Sequence, residues 1–152
     1  MPKLSDEPDV FKFCVWDLLS YPEYEPARYD PAVACDLYRQ HLTTWVEAED
    51  LGYDCLFNAE HHFDAISIMP APLLMLANLA ARTKRMRLGT MVNVVPLHHP
   101  YRLAEEAGMV DILSNGRLEL GLGRGASGFE YSRFHMGMTD TRDRFEEGMA
   151  IL

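Results

Sequence analysis

The sequence predicts an α/β protein built on a parallel β-sheet. Apolar, strand-like runs alternate with amphipathic helical segments, at roughly 30 to 40 residues per strand–helix unit. The resulting order, β-α-β-α-β-α-β-loop-α, fits two architectures: an open doubly wound sheet or part of a (β/α)8 barrel. A complete barrel typically needs about 250 residues, so a chain of 152 residues has room for about half of one.

The first unit begins with a predicted strand at residues 11–19, followed by a proline-containing loop at 20–29. Asp30 and Pro31 mark the start of a helix, because aspartate is a favoured N-cap and proline suits the first helical position. Gly52 is expected to end this helix. Its apolar face consists of Cys35, Tyr38, Leu42, Trp45 and Val46.

The next two units repeat this order. A short apolar strand is predicted at residues 54–59, and a helix at 72–85 whose final basic residues suit the helix dipole. Residues 86–95 are mostly apolar or β-branched, which is typical of a buried strand. Pro100 is expected to open the following helix, and residues 114–116 to end it.

The last unit contains a strand at 117–123 and a glycine-rich loop at 123–128. Residues 129–138 are predicted to form an irregular aromatic loop, and Asp140 to cap a final helix. The sequence stops inside that helix without a C-cap, so we expect the chain to be a fragment of a longer protein.

Composition excludes several classes of protein. The chain has 14 Lys and Arg against 23 Asp and Glu, a formal charge of −9, whereas a protein that wraps nucleic acid needs a basic face. No apolar run approaches the ~20 residues that span a bilayer, and the acidic first ten residues do not resemble a signal peptide. We expect one cytoplasmic domain, with residues 1–10 as a poorly ordered lead-in, that binds neither nucleic acid nor membrane.

The three cysteines, Cys14, Cys35 and Cys55, are an odd number and have no CxxC spacing. We interpret them as small buried hydrophobes rather than a disulfide framework or a thiolate zinc site.

Titratable side chains follow two of the predicted strands. Glu60, His61 and His62 come after the second strand, and His98 and His99 come after the third. Because the carboxyl ends of parallel strands meet at one edge, we expect Glu60, His61 and one of His98 or His99 to lie within reach of each other. Ordinary loop histidines or a metal site would give the same pattern, but no HxH or HExxH spacing supports a metal.

The loop at 123–128 satisfies the pattern GxGxxG. A dinucleotide-binding fingerprint should open a helix directly and be followed, about 20 residues on, by an acid at the end of the next strand, and neither feature is predicted here. The backbone N–H groups and Arg124 offer a phosphate site, and the alternative is a tight turn with a solvated arginine.

Taken together, these stretches resemble the bacterial-luciferase-like family of flavin-dependent monooxygenases. The resemblance extends from about residue 11 to 152 and implies the N-terminal half of a TIM-type (β/α)8 barrel with four parallel strands. Such a barrel binds reduced FMN, activates dioxygen and oxidises a small organic substrate. The matching motifs are Asn58-Ala59-Glu60-His61-His62-Phe63, Gly89-Thr90-Met91, Leu97-His98-His99-Pro100, Ala104-Glu105-Glu106, Asp111-Ile112-Leu113-Ser114-Asn115-Gly116-Arg117 and Gly123-Arg124-Gly125.

The resemblance also implies roles for residues near the flavin ring. His61 falls on the family's catalytic histidine, as a general acid/base or to stabilise the oxygenated flavin. Met91 and Val92 fall where the family has a non-proline cis peptide beneath the ring, although an ordinary core strand remains the alternative. Asn93 follows and is expected to reach the polar edge of the ring.

Three further residues match the family's FMN-phosphate region. Arg124 and Arg142 fall on two arginines near the phosphate, and Ala126 on a neighbouring loop contact. For Arg142, a solvated arginine in the first turn of a helix is the alternative.

Three alternatives to an active fragment remain open. One is a natural half-barrel that closes by dimerising, and another is a non-catalytic module that binds flavin. The third is a deazaflavin-dependent oxidoreductase of the same superfamily, which transfers hydride without oxygen. For a monooxygenase we expect a separate NAD(P)H:flavin reductase to supply reduced FMN, and by resemblance a homo-oligomer.

Overall fold

The computed structural model describes residues 11–22 and 29–152. The predicted lead-in at 1–10 and most of the loop at 20–29 lie outside the described residues. Four parallel strands form one sheet in the order β1-β2-β3-β4, as the sequence predicts. They are β1 (Cys14–Asp17), β2 (Cys55–Asn58), β3 (Arg87–Val94) and β4 (Leu118–Gly123).

Helices connect the strands and follow the last one. They are α1 (Pro31–Asp50), α2 (Pro72–Ala80), α3 (Pro100–Leu113), α4 (Gly128–Arg133) and α5 (Thr141–Ile151), with a 3₁₀ turn at Val95–Leu97. The prediction of an irregular loop at 129–138 is wrong for residues 129–133. These residues belong to α4, which follows the glycine-rich loop directly. Ser127 caps this helix by accepting a hydrogen bond from the backbone N–H of Glu130 at 3.2 Å.

The hydrophobic core lies between the sheet and helices α1 to α3. Leu56 and Leu88 project from β2 and β3 into a buried cluster that includes Trp45, Leu76 and Leu103. Since side chains alternate along a strand, the neighbouring positions project from the opposite face of the sheet. That face is partly exposed and includes Trp16, Phe57 and Met91.

Three residues predicted at helix ends differ in how far the structure supports them. The Asp30 carboxylate accepts from the N–H of Ala32 at 2.8 Å, which confirms the predicted start of α1. Gly52, just beyond the end of α1, has a φ of +95°, which favours glycine. Asp140 occupies the N-cap position of α5, but its side chain makes no capping hydrogen bond.

The predicted end of α2 is wrong. The helix ends at Ala80 rather than at residue 85, and no basic residue lies in its last turn. Arg117, the residue before β4, donates instead to the carbonyl oxygens of Ala80 and Thr83 at 3.1 and 3.0 Å. A buried guanidinium from elsewhere in the chain thus satisfies the carbonyls that the helix leaves unpaired.

The cysteine interpretation is also wrong. Cys14 and Cys55 are directly paired neighbours in the register of β1 and β2, with Cα atoms 4.5 Å apart, and they form a disulfide. Cys35 is exposed on α1 rather than buried.

Within the described part of the chain, no helix combines the length and the apolarity needed to cross a bilayer.

Candidate active site at the carboxyl edge of the sheet

Glu60 is a fully buried carboxylate just beyond the end of β2. Four donors surround it: the Nε2 atoms of His62 and His98, each at 2.9 Å, the side-chain amide of Asn93 at 3.0 Å and the N–H of Val94 at 2.9 Å. The predicted meeting of Glu60 with His98 is therefore confirmed. This carboxylate joins the end of β2 to the end of β3 and to the turn before α3.

The charge state of this cluster follows from its contacts. Burial by itself would raise the pKa of Glu60, but hydrogen bonds from His62, His98 and Val94 lower it from 4.5 to about 2. Burial would lower the pKa of His98, and the Glu60 carboxylate more than compensates and raises it above 6.5. Glu60 and His98 therefore form a buried ion pair in weakly acidic solution.

His61 belongs to a different contact. Its Nδ1 atom lies 2.9 Å from Oε1 of Glu130, and the same oxygen accepts the backbone N–H of His62 at 3.1 Å. The Glu130 side chain is only 7% exposed, whereas the His61 ring is 29% exposed. The Nδ1 edge of the imidazole is thus held by a buried carboxylate while part of the ring remains accessible.

The peptide bond between Met91 and Val92 is cis, at the position that the resemblance implies. It lies in a bulge of β3, where the register with β4 shifts between Thr90 and Asn93. The carbonyl of Val92 accepts the N–H of Glu60 at 3.3 Å, which brings the bulge next to the histidine cluster. The Met91 side chain is 52% exposed on the sheet face away from α1 to α3.

Asn93 is buried and does not project into solvent. Its amide nitrogen donates to Glu60, and its Oδ1 atom has no hydrogen-bond partner among the described residues. The predicted contact of Asn93 with the polar edge of a ring stays a prediction.

The glycine-rich loop lies at the same edge of the sheet, after β4. Nη1 of Arg124 is 3.3 Å from the hydroxyl of Thr141, and the carbonyl of Arg124 accepts a hydrogen bond from the Tyr131 hydroxyl. Gly125 has a φ of +80°, and a Cβ there would lie 2.7 Å from the Tyr131 oxygen. The loop is therefore fixed to α4, the helix that also supplies Glu130.

The structure keeps Arg142 apart from these contacts. Its side chain is 78% exposed, and Nε lies 3.0 Å from Oε1 of Glu146 on the same helix. Ala126 is exposed in the loop. Among residues 11–22 and 29–152, no group of three or more His, Cys, Asp or Glu side chains is arranged to hold a metal ion.

Sequence reasoning missed Glu130, Tyr131 and Thr141. Glu130 is 69 residues from His61, and no local pattern relates the two. The weak signal available was an acid three residues after Ser127, which is the spacing of a capping box at a helix start.

Comparison with known proteins assigns this chain to a family. The model of the luciferase-like monooxygenase family matches residues 12–152, and the chain belongs to this family.

Relatives with assigned activities include the oxygenase component of flavin-dependent trigonelline monooxygenase from Acinetobacter baylyi. It is 45% identical over 102 residues, which cover 67% of this chain and 28% of that protein. A 4-hydroxyprotoasukamycin monooxygenase from Streptomyces nodosus subsp. asukaensis is 34% identical, over 84% of this chain and 33% of its own length. The crystal structure of monooxygenase RslO1 from Streptomyces bottropensis superposes with a TM-score of 0.79 at 32% identity, covering 93% of this chain and 41% of that one.

The chain spans about a third of the length of the curated relatives that it matches. The four strands and their helices thus correspond to part of a TIM-type barrel.

Proposed function

We propose that the protein containing this chain is a flavin-dependent monooxygenase, which uses reduced FMN and dioxygen to oxidise a small organic substrate. The observation that carries the proposal is the joining of three features at one edge of the sheet. These are the accessible His61 ring on Glu130, the Met91–Val92 bulge, and the Arg124 loop. Relatives with 34 to 45% identity have names that state monooxygenase activity.

The residues present fit a flavin mononucleotide. Beside the bulge, Gly123 leaves no room for a side chain, since a Cβ there would lie 2.5 Å from Cγ2 of Val92. The Val92 side chain therefore packs directly on the backbone of β4, which fixes the position of the bulge beside the proposed ring site. Arg124 provides a guanidinium next to the backbone N–H groups of the loop, a combination that suits a phosphate. Arg142 and Ala126 are proposed as further contacts to the phosphate end.

Reduced FMN, when bound, supplies the two electrons that reduce one oxygen atom of O2 to water while the other enters the substrate. The residues of this chain bind and orient it and handle protons. Arg124 would hold the phosphate, and Met91 would contact the ring. His61, through Nε2, exchanges a proton with the reacting groups, a role that suits an imidazole near neutral pH. Asn93 is proposed to contact the polar edge of the ring.

We further propose that reduced FMN comes from a separate NAD(P)H:flavin reductase. The glycine-rich loop leads into α4, and its proposed role in this chain is to bind the FMN phosphate rather than a nicotinamide dinucleotide. One relative is named as an oxygenase component, which is the naming used for two-component systems. A cytoplasmic location, where such a reductase would be available, stays a prediction.

A homodimer is the proposed assembly. The outer faces of α2 and α3 expose large apolar side chains around a cavity of about 280 Å³, and such a patch is typical of an interface. The exposed members are Leu74, Met109, Ile112 and Leu113.

Single-turnover oxidation of reduced FMN tests the proposal on the complete protein that contains residues 1–152. Protein loaded anaerobically is mixed with ¹⁸O2 and a panel of aldehydes, ketones, alkanes and sulfonates. We expect one ¹⁸O atom in the product of at least one class. His61→Ala should lower turnover by about 100- to 10,000-fold while FMN binding changes little. His135→Asn, in an exposed loop, is the matched control.

Three outcomes contradict the proposal. Hydride transfer with a deazaflavin in the absence of oxygen supports the deazaflavin alternative. Tight flavin binding without oxidation of any substrate supports a non-catalytic module. Equal turnover by His61→Ala and the wild type removes the assigned role of His61.

A further inference from the structure

Glu130 is a buried acid that neither the sequence pattern nor the comparisons assign to the site. Its side chain is 7% exposed, and one oxygen, Oε1, contacts both Nδ1 of His61 and the backbone N–H of His62. We propose that Glu130 is the positioning residue for His61: it holds the Nδ1–H tautomer and leaves Nε2 as the proton acceptor. This proposal rests on the proposed function for its consequence in turnover.

Several contacts hold Glu130 in place. Its own N–H is bound by the Ser127 hydroxyl at 3.2 Å, which fixes the first turn of α4. The next residue, Tyr131, is 1% exposed and donates to the carbonyl of Arg124. The short helix is thus attached to the proposed phosphate loop on one side and to His61 on the other. Placement of the His61 ring depends on contacts made 69 residues away in the chain.

The second hydrogen bond on Oε1 determines which imidazole tautomer is favoured. The His62 N–H can only donate, so Oε1 must accept there, and an accepting carboxylate oxygen prefers a protonated Nδ1. In a neutral imidazole, Nε2 then has the free lone pair. A ring fixed in this orientation and tautomer is ready to accept a proton without reorganisation, which is the usual role of the group behind a catalytic histidine.

Two conservative variants separate position from charge. Glu130→Gln keeps the length of the side chain and an acceptor oxygen, which the His62 N–H orients in the same way, but removes the charge. Glu130→Asp keeps the charge but shortens the side chain by one methylene, so the carboxylate no longer reaches Nδ1. A positioning role therefore predicts that Gln is the better replacement, whereas a purely electrostatic role predicts that Asp is.

The test is ¹⁵N NMR of histidine-labelled protein, at a pH where the ring is neutral, with His61 assigned from the spectrum of His61→Ala. We expect one Nδ1–H tautomer in the wild type and in Glu130→Gln, and a mixture in Glu130→Asp. Turnover should fall by less than about 10-fold in Glu130→Gln and by about 10- to 100-fold in Glu130→Asp, with the FMN Kd unchanged. Glu105→Gln, an exposed carboxylate on α3, is the matched control.

A double variant links the two measurements. In a His61→Ala background, neither Glu130 substitution should lower turnover further, because Glu130 acts only through His61. A tautomer mixture in the wild type, or in folded Glu130→Gln, contradicts the proposal, and so does full additivity with His61→Ala. The spectrum needs no substrate: a single tautomer in a protein that oxidises nothing overturns the proposed function but leaves the contact between Glu130 and His61 intact.

Discussion

Glu60 shows how one residue can order an entire site. Its carboxylate is fully buried, and a buried charge is tolerated only when paired and hydrogen-bonded. The donors are Asn93 and Val94 of β3, His98 beyond the end of β3, and His62 beyond the end of β2. As a result, the ends of two strands are joined by side chains as well as by the sheet.

The Glu60–His98 pair predicts a pH dependence of stability. Since the pKa of Glu60 falls from 4.5 to about 2 on folding, its contribution is present above pH 4.5 and is lost as the pH falls towards 2. Since the pKa of His98 rises above 6.5, its contribution is complete below pH 6.5 and is lost at higher pH. The difference in unfolding free energy between the wild type and His98→Gln should be largest between these limits.

Urea denaturation at a series of pH values measures this difference. Arg102→Gln, in an exposed pair on α3, should show no such maximum. A difference that keeps growing from pH 6.5 to 9 would contradict the assignment.

Arg124 predicts a specific loss of affinity. A charge-assisted hydrogen bond to phosphate contributes about 1.5 to 3 kcal/mol, so Arg124→Ala should weaken FMN by about 10- to 100-fold. Riboflavin, which lacks the phosphate, should lose less than about twofold. Anaerobic fluorescence titration of both ligands measures the two constants, with Arg102→Ala as the control. Equal losses for FMN and riboflavin would show that Arg124 does not bind the phosphate.

At the scale of elements, the β3 bulge and β4 approach each other too closely for any side chain at Gly121. A Cβ there would lie 2.0 Å from the carbonyl oxygen of Thr90, which cannot move without breaking the pairing of the strands. Gly121→Ala should therefore destabilise the fold by about 1 to 3 kcal/mol. Gly108, inside α3, has nothing within 4 Å of its Cβ position, so Gly108→Ala should stabilise it by about 0.5 to 1 kcal/mol.

Thermal and chemical denaturation of the two variants check this pair. Both replace a glycine by alanine, so the change of residue type is matched and only the surroundings differ. Destabilisation of equal size at both positions would contradict the close contact between β3 and β4.

The elements themselves were predictable to different degrees. The alternation of strands and helices, the start of α1 and the meeting of Glu60 with His98 follow from local patterns and from the geometry of parallel sheets. The start of α2 at residue 72 also follows from the sequence, but its end does not, because Arg117 donates to the carbonyl of Ala80 from a distant segment of the chain. Helix α4 has only six residues and no apolar period, and its stability depends on the Ser127 cap and on Tyr131.

At the scale of the whole molecule, the described sheet is open. In the described chain, β1 and β4 each pair with one other strand, and unpaired edges favour association. The exposed apolar patch on α2 and α3 lies on the other side of the sheet, away from the candidate site. The unpaired strand edges and the helix patch of the proposed dimer are thus separate surfaces.

The proposed dimer is tested by introducing a charge into the patch. Leu74 is 74% exposed and lines the cavity, and Leu74→Glu should convert a dimer to a monomer, since an unpaired charge would be buried in the interface. Leu51→Glu, at a similarly exposed apolar position after α1, should leave the dimer intact. Sedimentation velocity gives both masses, and a dimer that survives Leu74→Glu rules out this interface.

We propose that flavin binds at the carboxyl edge of the sheet, over the Met91–Val92 bulge. Methyl NMR of protein labelled with ¹³C-methyl methionine, titrated anaerobically with reduced FMN, tests it most directly. Met91 lies in the candidate site, whereas Met75 lines a cavity of about 540 Å³ between α1 and α2. Flavin bound over the bulge should shift the Met91 methyl signal strongly and leave the Met75 methyl signal unchanged. A shift of Met75 with Met91 unmoved would contradict it.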